Sequence, residues 1–524
     1  MEYNQPSAIV KDLSFGADAN EKIMSGVEKL ANAVRSTLGA SGKCVIYEDA
    51  MGKPVITKDG VTVAESVILY DPVENMGATL IKEAAKNTVK EAGDGTTTST
   101  VLAHSLLNKS MEALDNTTSI RELQQAFLTG VDFVNDYLDK NKLEVTDDML
   151  VDVATISTNN DFALGNIIAN AYKKVGKHGV VLMEESESEE TYFDVVDGVQ
   201  FDSGLKTQHL ATTEDKEKSE LENPFVLIVA SPINNIRKIQ AVLEHVIKQK
   251  RSLLIVASVE QQPYSALLTN KVKGNIKVNI VDVPGFGSTK RDTIEDLAAL
   301  TGAKIIDEEL GDDLDLIDPS VLGEALKSVT DNRNTVLTIE SVSDDAKTRI
   351  ETVEQKIKDE QNPFIKKKLE QRLAMLSGSV GIIYVGANSK VELKEKKDRV
   401  EDAIYATKAA LQEGIVPGGG VALLNAAQKM KVSNSAEHVF RKAIIAPFST
   451  ILENAGIEVP NNFKYRKGWG INVVNGKPVN MIKAGIIDPV LVTKTALKNA
   501  ASVVSTIISA DCVISNMRVN ESGK

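Results

Sequence analysis

Cysteine is almost absent from this chain: Cys44 and Cys512 are the only two among 524 residues. Two cysteines exclude a disulfide framework and a cysteine-rich metal site, and they fit a reducing compartment. The five histidines are scattered and form no H-E-x-x-H zinc motif. Aromatic residues amount to 4%, with Trp469 as the single tryptophan, so we expect an aliphatic core.

Long apolar runs and excess positive charge are missing as well. No apolar run is long enough to span a membrane, and the first residues lack the basic and apolar regions of a signal peptide. With 73 acidic and 60 basic residues the formal charge is −13, which argues against a general nucleic-acid binder. We therefore expect a cytoplasmic protein without membrane or nucleic-acid partners. Its length exceeds what one core supports, so roughly two to four domains are expected.

The most informative stretch is residues 93–98, which read Gly-Asp-Gly-Thr-Thr-Thr. Glycine lets the backbone approach a ligand closely, and hydroxyl residues suit a helix N-terminus, where free N–H groups favour an anion. Asp94 would repel a phosphate there unless a cation lay between them, which is the usual magnesium arrangement. The stretch therefore indicates a Mg-nucleotide site, although the chain has no G-x-x-x-x-G-K-[ST] loop. An ordinary loop with a helix cap is the alternative, and these six residues alone favour it.

Two further carboxylate positions stay open on local grounds. Asp59, in Lys58-Asp59-Gly60, follows a predicted strand, where it is either a site residue or part of a plain turn. Asp398 and Asp402 are four residues apart in a charged helical stretch, so they share one face of the helix. A carboxylate on that face could orient an attacking water, and a solvated charged face is the alternative.

Helical periodicity dominates both ends of the chain, and an α/β texture occupies the middle. Segments rich in β-branched residues alternate with helical ones there, which is typical of an α/β domain. Helix-rich ends around such a middle predict nested domains, one of them built from both termini. The predicted elements are strands at 44–47, 54–57, 179–184, 225–230, 253–257, 277–283 and 381–386, helices at 18–38, 73–91, 96–113, 119–140, 147–155, 162–175, 233–249, 261–273, 290–301 and 421–430, a helical hairpin over 342–376 that turns at 362–363, and glycine turns at 284–287 and 418–420.

Nine short motifs stand in a definite order along the chain. They are Thr37-Leu38-Gly39, Lys58-Asp59-Gly60, Glu74-Asn75-Met76-Gly77-Ala78, Gly93-Asp94-Gly95-Thr96-Thr97-Thr98, Asp194-Val195-Val196-Asp197-Gly198, Pro284-Gly285-Phe286-Gly287, Arg399-Val400-Glu401-Asp402-Ala403, Glu413-Gly414 with Gly418-Gly419-Gly420, and Ile487-Asp488-Pro489. Together they resemble the group I chaperonins of the GroEL/Hsp60 family. A single glycine loop would be weak, but nine ordered motifs over about residues 12 to 515 make the resemblance specific.

The resemblance implies a multidomain α and α/β chaperonin fold with three domains. These are a helix-rich equatorial ATP-binding domain (1–140 and 414–524), a small α/β intermediate hinge domain (141–197 and 379–413) and an inserted α/β apical polypeptide-binding domain (198–378). The implied function is an ATP hydrolase that folds non-native polypeptides inside a homo-oligomeric, seven-membered ring. ATP and Mg²⁺ are the implied cofactors, K⁺ is a further candidate, and a co-chaperonin lid is a candidate partner. A ring-forming holdase or scaffold without productive ATP-driven folding is the alternative.

The resemblance also assigns roles to individual residues. Asp94 resembles the magnesium ligand, and Asp59 and Asp402 resemble the carboxylates that position the hydrolytic water, with Asp402 arriving only when the intermediate domain closes. The residues expected to contact the nucleotide are Thr37, Leu38, Gly39, Lys58, Gly60, Gly95, Thr96, Thr97, Thr98, Gly418, Gly419, Asn472, Ile487 and Asp488. The residues expected to bind polypeptide are Leu205, His209, Leu210, Ile239, Leu243, Tyr264 and Leu268.

The chain departs from the family pattern in several places. Ala40 stands where the family has proline, and Ser379 stands where a hinge glycine is expected. In the predicted polypeptide-binding groove, His209, Gln240 and Thr269 stand where the family has apolar or aromatic residues, so the groove is expected to be more polar. This indicates altered clients or a changed co-chaperonin contact, and simple drift is the alternative. The loop 457–471 is short and basic, which predicts an altered contact between rings and is compatible with a ring that works singly.

Overall fold

The computed structural model describes residues 11–516, apart from 50, 115–117, 159, 177–178, 214–215, 285–287, 313–316, 341–342, 361, 363–364, 366–368, 370–371, 374, 377 and 459–465. Its chain forms two compact units. Unit 1 is made of residues 1–170, 185–191 and 385–524, and unit 2 of residues 171–184 and 192–384. Residues 285–287 and 363 of two predicted turns, and residues 459–465 of the loop 457–471, lie outside the described residues.

Unit 1 is mainly helical. Its first helix buries Ile23, Val27, Leu30 and Val34, which recur at spacings of three and four residues, as an amphipathic helix requires. Its helices are α1 (Gly16–Arg35), α2 (Gly60–Ser66), α3 (Pro72–Ala92), α4 (Thr96–Leu114), α5 (Ile120–Asn141), α6 (Asp147–Ser157), α7 (Phe162–Val175, which ends in unit 2), α12 (Lys390–Glu413), α13 (Val421–Lys429), α14 (Ser435–Ala443), α15 (Ala446–Asn454) and α16 (Val490–Ile507).

The core of unit 1 lies between α1, α3, α4, α5 and α16 and is built almost entirely from aliphatic side chains. The largest buried rings are Phe127 and Phe440, whose centroids are 6.0 Å apart. This agrees with the aliphatic core expected from the few aromatic residues. No helix among the described residues combines the length and the apolarity that a membrane crossing requires.

Short antiparallel strand pairs complete unit 1. One pair joins the two ends of the described chain, so both ends belong to the same helical unit, as the nested-domain prediction requires. A second pair, β15 with β18, holds two distant segments of the chain side by side. The pairs are β1 (Lys11–Phe15) with β19 (Cys512–Asn516), β2 (Val45–Glu48) with β3 (Pro54–Thr57), β15 (Ile415–Pro417) with β18 (Ile487–Pro489), and β16 (Trp469–Asn472) with β17 (Lys477–Asn480).

Unit 2 has the predicted α/β texture and contains two sheets. The first has the order β10-β7-β8-β9, with parallel neighbours and β11 added antiparallel to β7; the second is six-stranded, β4-β14-β5-β13-β12-β6. The strands are β4 (Val180–Glu185), β5 (Tyr192–Phe201), β6 (Ser219–Glu222), β7 (Phe225–Ile233), β8 (Leu253–Val259), β9 (Val278–Val281), β10 (Ile305–Ile306), β11 (Gly323–Glu324), β12 (Lys327–Thr330), β13 (Thr335–Thr338) and β14 (Ser379–Val385); the helices are α8 (Gln240–Gln249), α9 (Gln261–Val272), α10 (Ser288–Thr301) and α11 (Asp344–Asp359).

Two details of unit 2 differ from the sequence-based expectations. The helix predicted from residue 233 begins at Gln240 instead, because the side chain of Asn235 accepts a hydrogen bond from the Arg237 N–H and first caps a short 3₁₀ turn. Ser379 begins β14 and pairs with Asp197, so this position is extended and does not use the conformational freedom of glycine.

A buried ion-pair cluster ties α10 to α11 and to the segment around residue 372. The carboxylate of Asp296 is fully buried. It lies 2.7 Å from Nε of Arg349 and 2.6 Å from Nε of Arg372, and it also accepts a hydrogen bond of 2.8 Å from the second arginine. Both oxygens of the buried charge are therefore paired, which its burial requires.

Candidate active site

A cavity of about 520 Å³ lies within unit 1. This volume falls in the usual range for a small-molecule site. Its walls come from segments far apart in the chain: the loop after α1, the turn after β3, the start of α4, the middle of α12, and the region around β16 and β18. These are the segments that the sequence analysis singled out for nucleotide contacts.

The glycine-bracketed loop forms one wall and ends at the N-terminus of α4. Gly93 has φ 77° and ends α3, and Gly95 has φ 99°, both in the left-handed region that favours glycine. A Cβ atom on Gly95 would lie 2.8 Å from Cγ1 of Val492. The N–H groups of the first turn of α4 lack partners within the helix and favour an anion. The loop therefore presents Asp94, Thr96, Thr97 and Thr98 to the cavity.

Asp59 is both a helix cap and part of the cavity wall. Its carboxylate accepts hydrogen bonds from the N–H groups of Val61 (3.0 Å) and Thr62 (2.7 Å) and from the Thr62 hydroxyl (2.6 Å). These bonds fix its orientation. A Cβ atom on Gly60 would lie 2.2 Å from Oγ1 of Thr97, so this turn and the start of α4 are in direct contact. Asp59 therefore belongs to a turn, and the same residue also lines the cavity.

Helix α12 brings two more carboxylates to the cavity. Asp398 and Asp402 lie one turn apart on the same face and both line it, as their spacing predicted. Burial, and then the nearby charges of Asp94 and Asp59, raise the pKa of Asp402 well above its ordinary value. Burial, followed by the charge of Asp59, raises the pKa of Asp398 to about 6. The pKa of Asp94 is also raised, by burial and by Asp59. Half-buried carboxylates from three separate elements thus line one cavity.

A further part of the cavity wall is formed where β18 meets the glycine turn after β15. Asp488 of β18 accepts hydrogen bonds from the N–H groups of Gly419 and Gly420, and burial together with the charge of Asp94 raises its pKa to about 7. Ile487 and Asn472 line the cavity as well. The side chain of Asn472 accepts a 3.0 Å hydrogen bond from the Val474 N–H, which orients it.

Most of the predicted nucleotide contacts are brought together in this cavity, and one is not. Gly418 is absent from the wall; its N–H donates to the Ile486 carbonyl at 2.9 Å, so it supports the pairing of β15 with β18. The predicted residues that line the cavity are Thr37, Leu38, Gly39, Lys58, Asp59, Gly60, Asp94, Gly95, Thr96, Thr97, Thr98, Asp402, Gly419, Asn472, Ile487 and Asp488.

The predicted polypeptide-binding residues lie in unit 2 and differ in exposure. Leu210 and Ile239 are fully buried against β7 and β8, so in this structure they support the surface instead of forming it. His209 is exposed. Leu205, Leu243, Tyr264 and Leu268 are partly buried beside the same core and leave some apolar surface available.

Sequence reasoning missed several residues of the cavity wall. Asp152 and Thr155 come from α6, Ile451 from α15, and Met481 and Val492 from the region of β17, β18 and α16. None of them lies in a glycine-rich or hydroxyl-rich stretch. The packing of Val153 in α6 against Ile487 of β18 brings α6 to the site, and the sequence carries no local signal for that contact.

The donors in the cavity fit a magnesium ion that takes most of its ligands from phosphate. The described residues include no cluster of three or more His, Cys, Asp or Glu side chains that could hold a metal alone. Asp94 is a half-buried carboxylate beside a helix N-terminus, and Lys58 lines the same cavity. One carboxylate together with phosphate oxygens is how Mg²⁺ is usually held, and the helix N-terminus favours the phosphates themselves.

Comparison with known proteins bears on the family and the fold of the chain. The model of the TCP-1/cpn60 chaperonin family matches residues 30–518. The fold is similar to crystal structures of the chaperonin gp146 from the bacteriophage EL 2 (Pseudomonas aeruginosa), obtained in the presence of ATP-BeFx. The two crystal forms give TM-scores of 0.71 and 0.66 at 21% identity, covering 97% of this chain and 99% of gp146. The chain belongs to the TCP-1/cpn60 chaperonin family and has the chaperonin fold that its ordered motifs predicted.

Proposed function

We propose that this chaperonin hydrolyses Mg-ATP in the unit 1 cavity and uses the energy to fold non-native polypeptides inside a homo-oligomeric ring. The observation that carries the proposal is the meeting of Asp59, Asp94 and Asp402, from three separate elements, in one cavity beside a helix N-terminus. The crystals of the similar phage chaperonin gp146 were obtained with ATP-BeFx, which supports a nucleotide as the ligand of this fold.

Within the cavity, we assign different residues to the phosphates, the ribose and the base of the nucleotide. The N–H groups at the start of α4 and the ammonium of Lys58 would hold the phosphates, and Asp94 would hold Mg²⁺. When bound, the metal would supply positive charge beside the phosphate oxygens. Asp488 and Gly419 hold the ribose, and Asn472 and Ile487 lie on the base side. K⁺ is a further candidate for the same polyanionic space.

Asp59 and Asp402 are the residues we assign to the hydrolytic water. The hydrogen bonds to Asp59 hold that carboxylate in one orientation, so it acts as a fixed acceptor for the water. The raised pKa of Asp402 makes its carboxylate a stronger base than that of an ordinary aspartate, suited to accept a proton from the water. Because Asp402 lies on α12, hydrolysis requires that this helix cover the cavity.

We further propose the division into equatorial, intermediate and apical domains, in which the segments that carry α6 and α12 join the equatorial domain near residues 141 and 414. Leu143 and Ile415 exchange backbone hydrogen bonds of 2.9 Å in both directions, so the two crossing segments lie side by side. Gly414, between α12 and β15, has φ 90°, and a Cβ atom there would lie 2.5 Å from the Leu143 carbonyl oxygen. Such a paired crossing suits a hinge through which nucleotide binding biases the position of α12.

We also propose that the chain assembles into a seven-membered ring in the cytoplasm. Its proposed partners are client polypeptides and a co-chaperonin lid. The partly exposed apolar side chains beside α8 and α9 are the candidate client surface. The holdase alternative keeps this surface and the ring but gives no refolding driven by hydrolysis.

Refolding and hydrolysis assays on the Asp402→Asn variant test the proposal. We expect Mg-ATP binding within a few-fold of the parent, hydrolysis reduced about 10²- to 10⁴-fold, and no ATP-driven refolding of a denatured enzyme. The control is Glu392→Gln, which removes an exposed carboxylate from the start of the same helix. Hydrolysis at the parental rate in Asp402→Asn would refute the assignment of Asp402. A parent that hydrolyses ATP but never refolds a client would favour the holdase.

A further inference from the structure

Helix α6 places a carboxylate on the cavity wall beside the turn that leads into β18. Val153 of α6 packs against Ile487 of β18, and the neighbouring Asp152 lines the cavity. A Cβ atom built on Gly485 would lie 2.9 Å from Cγ and Oδ1 of Asp152 and 3.1 Å from Oδ2. The carboxylate therefore lies directly against the turn that leads into β18 and Asp488.

Asp152 differs from Asp488 in having no partner among the described residues. Asp488 is occupied by the N–H groups of Gly419 and Gly420. Asp152 forms no hydrogen bond or ion pair within the part of the chain that the structure describes. Burial, followed by the charge of Asp148 on its own helix, raises the pKa of Asp152. Asp152 thus lines the cavity as a half-buried acceptor to which no described residue donates.

The turn beside Asp152 does not need this carboxylate for its own stability. The Ala484 N–H donates to the Asn480 carbonyl at 3.0 Å, and the Gly485 N–H donates to the Ile482 carbonyl at 3.1 Å. Gly485, with φ 70°, supplies the left-handed conformation the turn requires. A purely structural role as a loop cap is therefore already filled by the backbone.

We propose that Asp152 determines nucleoside specificity by accepting a hydrogen bond from the bound nucleoside. The proposal rests on the nucleotide function proposed above and adds a residue and a selectivity to it. An ionised carboxylate only accepts hydrogen bonds, so the complementary group is a donor: a ribose hydroxyl or the amine of the base. A site that pairs with such a donor rejects an analogue that lacks it, because its own acceptor is then left unpaired.

Calorimetric titration of the full chain with Mg²⁺ complexes of ATP, 2′-deoxy-ATP, 3′-deoxy-ATP and inosine triphosphate tests this. The deoxy analogues each lack one hydroxyl, and the inosine base carries oxygen in place of the adenine amine. The variants are Asp152→Ala, which removes the acceptor, and Asp152→Asn, which keeps the shape and removes the charge. The matched control is Asp148→Asn, an exposed carboxylate one turn earlier on the same helix.

We expect Asp152→Ala to bind Mg-ATP about tenfold or more weakly than the parent, because a hydrogen bond to a charged acceptor is lost. The parent should discriminate against the one analogue that lacks the donor, and Asp152→Ala should bind that analogue and ATP equally. Asp148→Asn should match the parent, and the thermal unfolding of Asp152→Asn should be unchanged. If Asp152→Ala keeps the parental affinity and discrimination, the specificity role is wrong while the nucleotide function stands. If the parent binds none of the four, both proposals fail.

Discussion

Adding one methyl group at Gly93 should obstruct the seating of α12 over the cavity. A Cβ atom there would lie 2.4 Å from Cβ and 2.5 Å from Cγ of Tyr405, which belongs to α12. Contacts this short force a shift of one element. Overpacking of this kind costs about 1–3 kcal/mol, and this penalty acts only when α12 covers the cavity. The left-handed φ of 77° adds a separate penalty of about 1–2 kcal/mol, which applies wherever α12 lies.

The predicted consequence is a slower hydrolytic step. A penalty of 1–3 kcal/mol on the seated arrangement corresponds to a hydrolysis rate lowered roughly 5- to 150-fold in Gly93→Ala at saturating Mg-ATP. The control is Gly476→Ala, because Gly476 has φ 67° but no atom within 4 Å of the added methyl group. It carries the same kind of backbone strain in unit 1 without the collision.

A double-mutant cycle separates the collision from the strain. The Tyr405→Gly substitution removes every atom of the predicted clash, so in that background Gly93→Ala should lower the rate by less than in the parent. Steady-state phosphate release measures all four proteins, with nucleotide affinity determined in parallel. A Gly93→Ala variant within twofold of the parent would refute the reasoning, as would an equal loss in Gly476→Ala or an undiminished loss in the Tyr405→Gly background.

Three further predictions concern charge. Asp296→Ala leaves the guanidinium groups of Arg349 and Arg372, which are 29% and 13% exposed, without their shared partner. Unit 2 should therefore lose about 3 kcal/mol of stability, which would appear as faster hydrogen exchange in α10 and α11. Unchanged exchange would contradict this prediction. The pKa of Asp488, raised to about 7 from 3.8, means that the folded state binds the extra proton between these values. Its contribution to stability is therefore full below pH 3.8 and lost as the pH rises through 7. Asp488→Asn should flatten the pH dependence of the free energy of unfolding, measured in urea without ligand, and should be more stable than the parent at pH 8. Parallel curves of this free energy against pH for the two proteins would count against the prediction. Asp94→Asn should lower the affinity of the nucleotide complex for Mg²⁺ about tenfold or more, while nucleotide binding without Mg²⁺ persists. Titration of Mg²⁺ at fixed nucleotide concentration measures this affinity. An unchanged affinity would show that Asp94 is not the metal ligand.

The sequence predicted the site best where one contiguous stretch carries the geometry. The glycines at 93 and 95 and the hydroxyl residues after them indicated a helix start with close backbone approach, and α4 begins at Thr96. The four-residue spacing of Asp398 and Asp402 likewise predicted a shared face, and both residues line the cavity. In each case the information is local and follows from helix geometry.

What the sequence could not predict depends on contacts between distant segments. Asp152 reaches the cavity only because α6 packs on β18, and no motif near residue 152 signals that contact. Leu210 and Ile239 looked like members of an exposed stripe, but both complete the core beneath β7 and β8. Whether an apolar residue lies on a surface or beneath it is decided by tertiary packing, which periodicity alone does not specify. The ring contact at 457–471 stays a prediction, because residues 459–465 lie outside the described part of the chain.

Single-turnover hydrolysis of prebound Mg-ATP, followed in the parent and in Asp402→Asn side by side, tests the central claim most directly. If the carboxylate that α12 carries into the cavity performs the water chemistry, the variant should hold its ATP intact through a time in which the parent converts it to ADP. Equal conversion in the two proteins, at equal nucleotide occupancy, would contradict the claim that the carboxylates meeting in this cavity form a hydrolytic site.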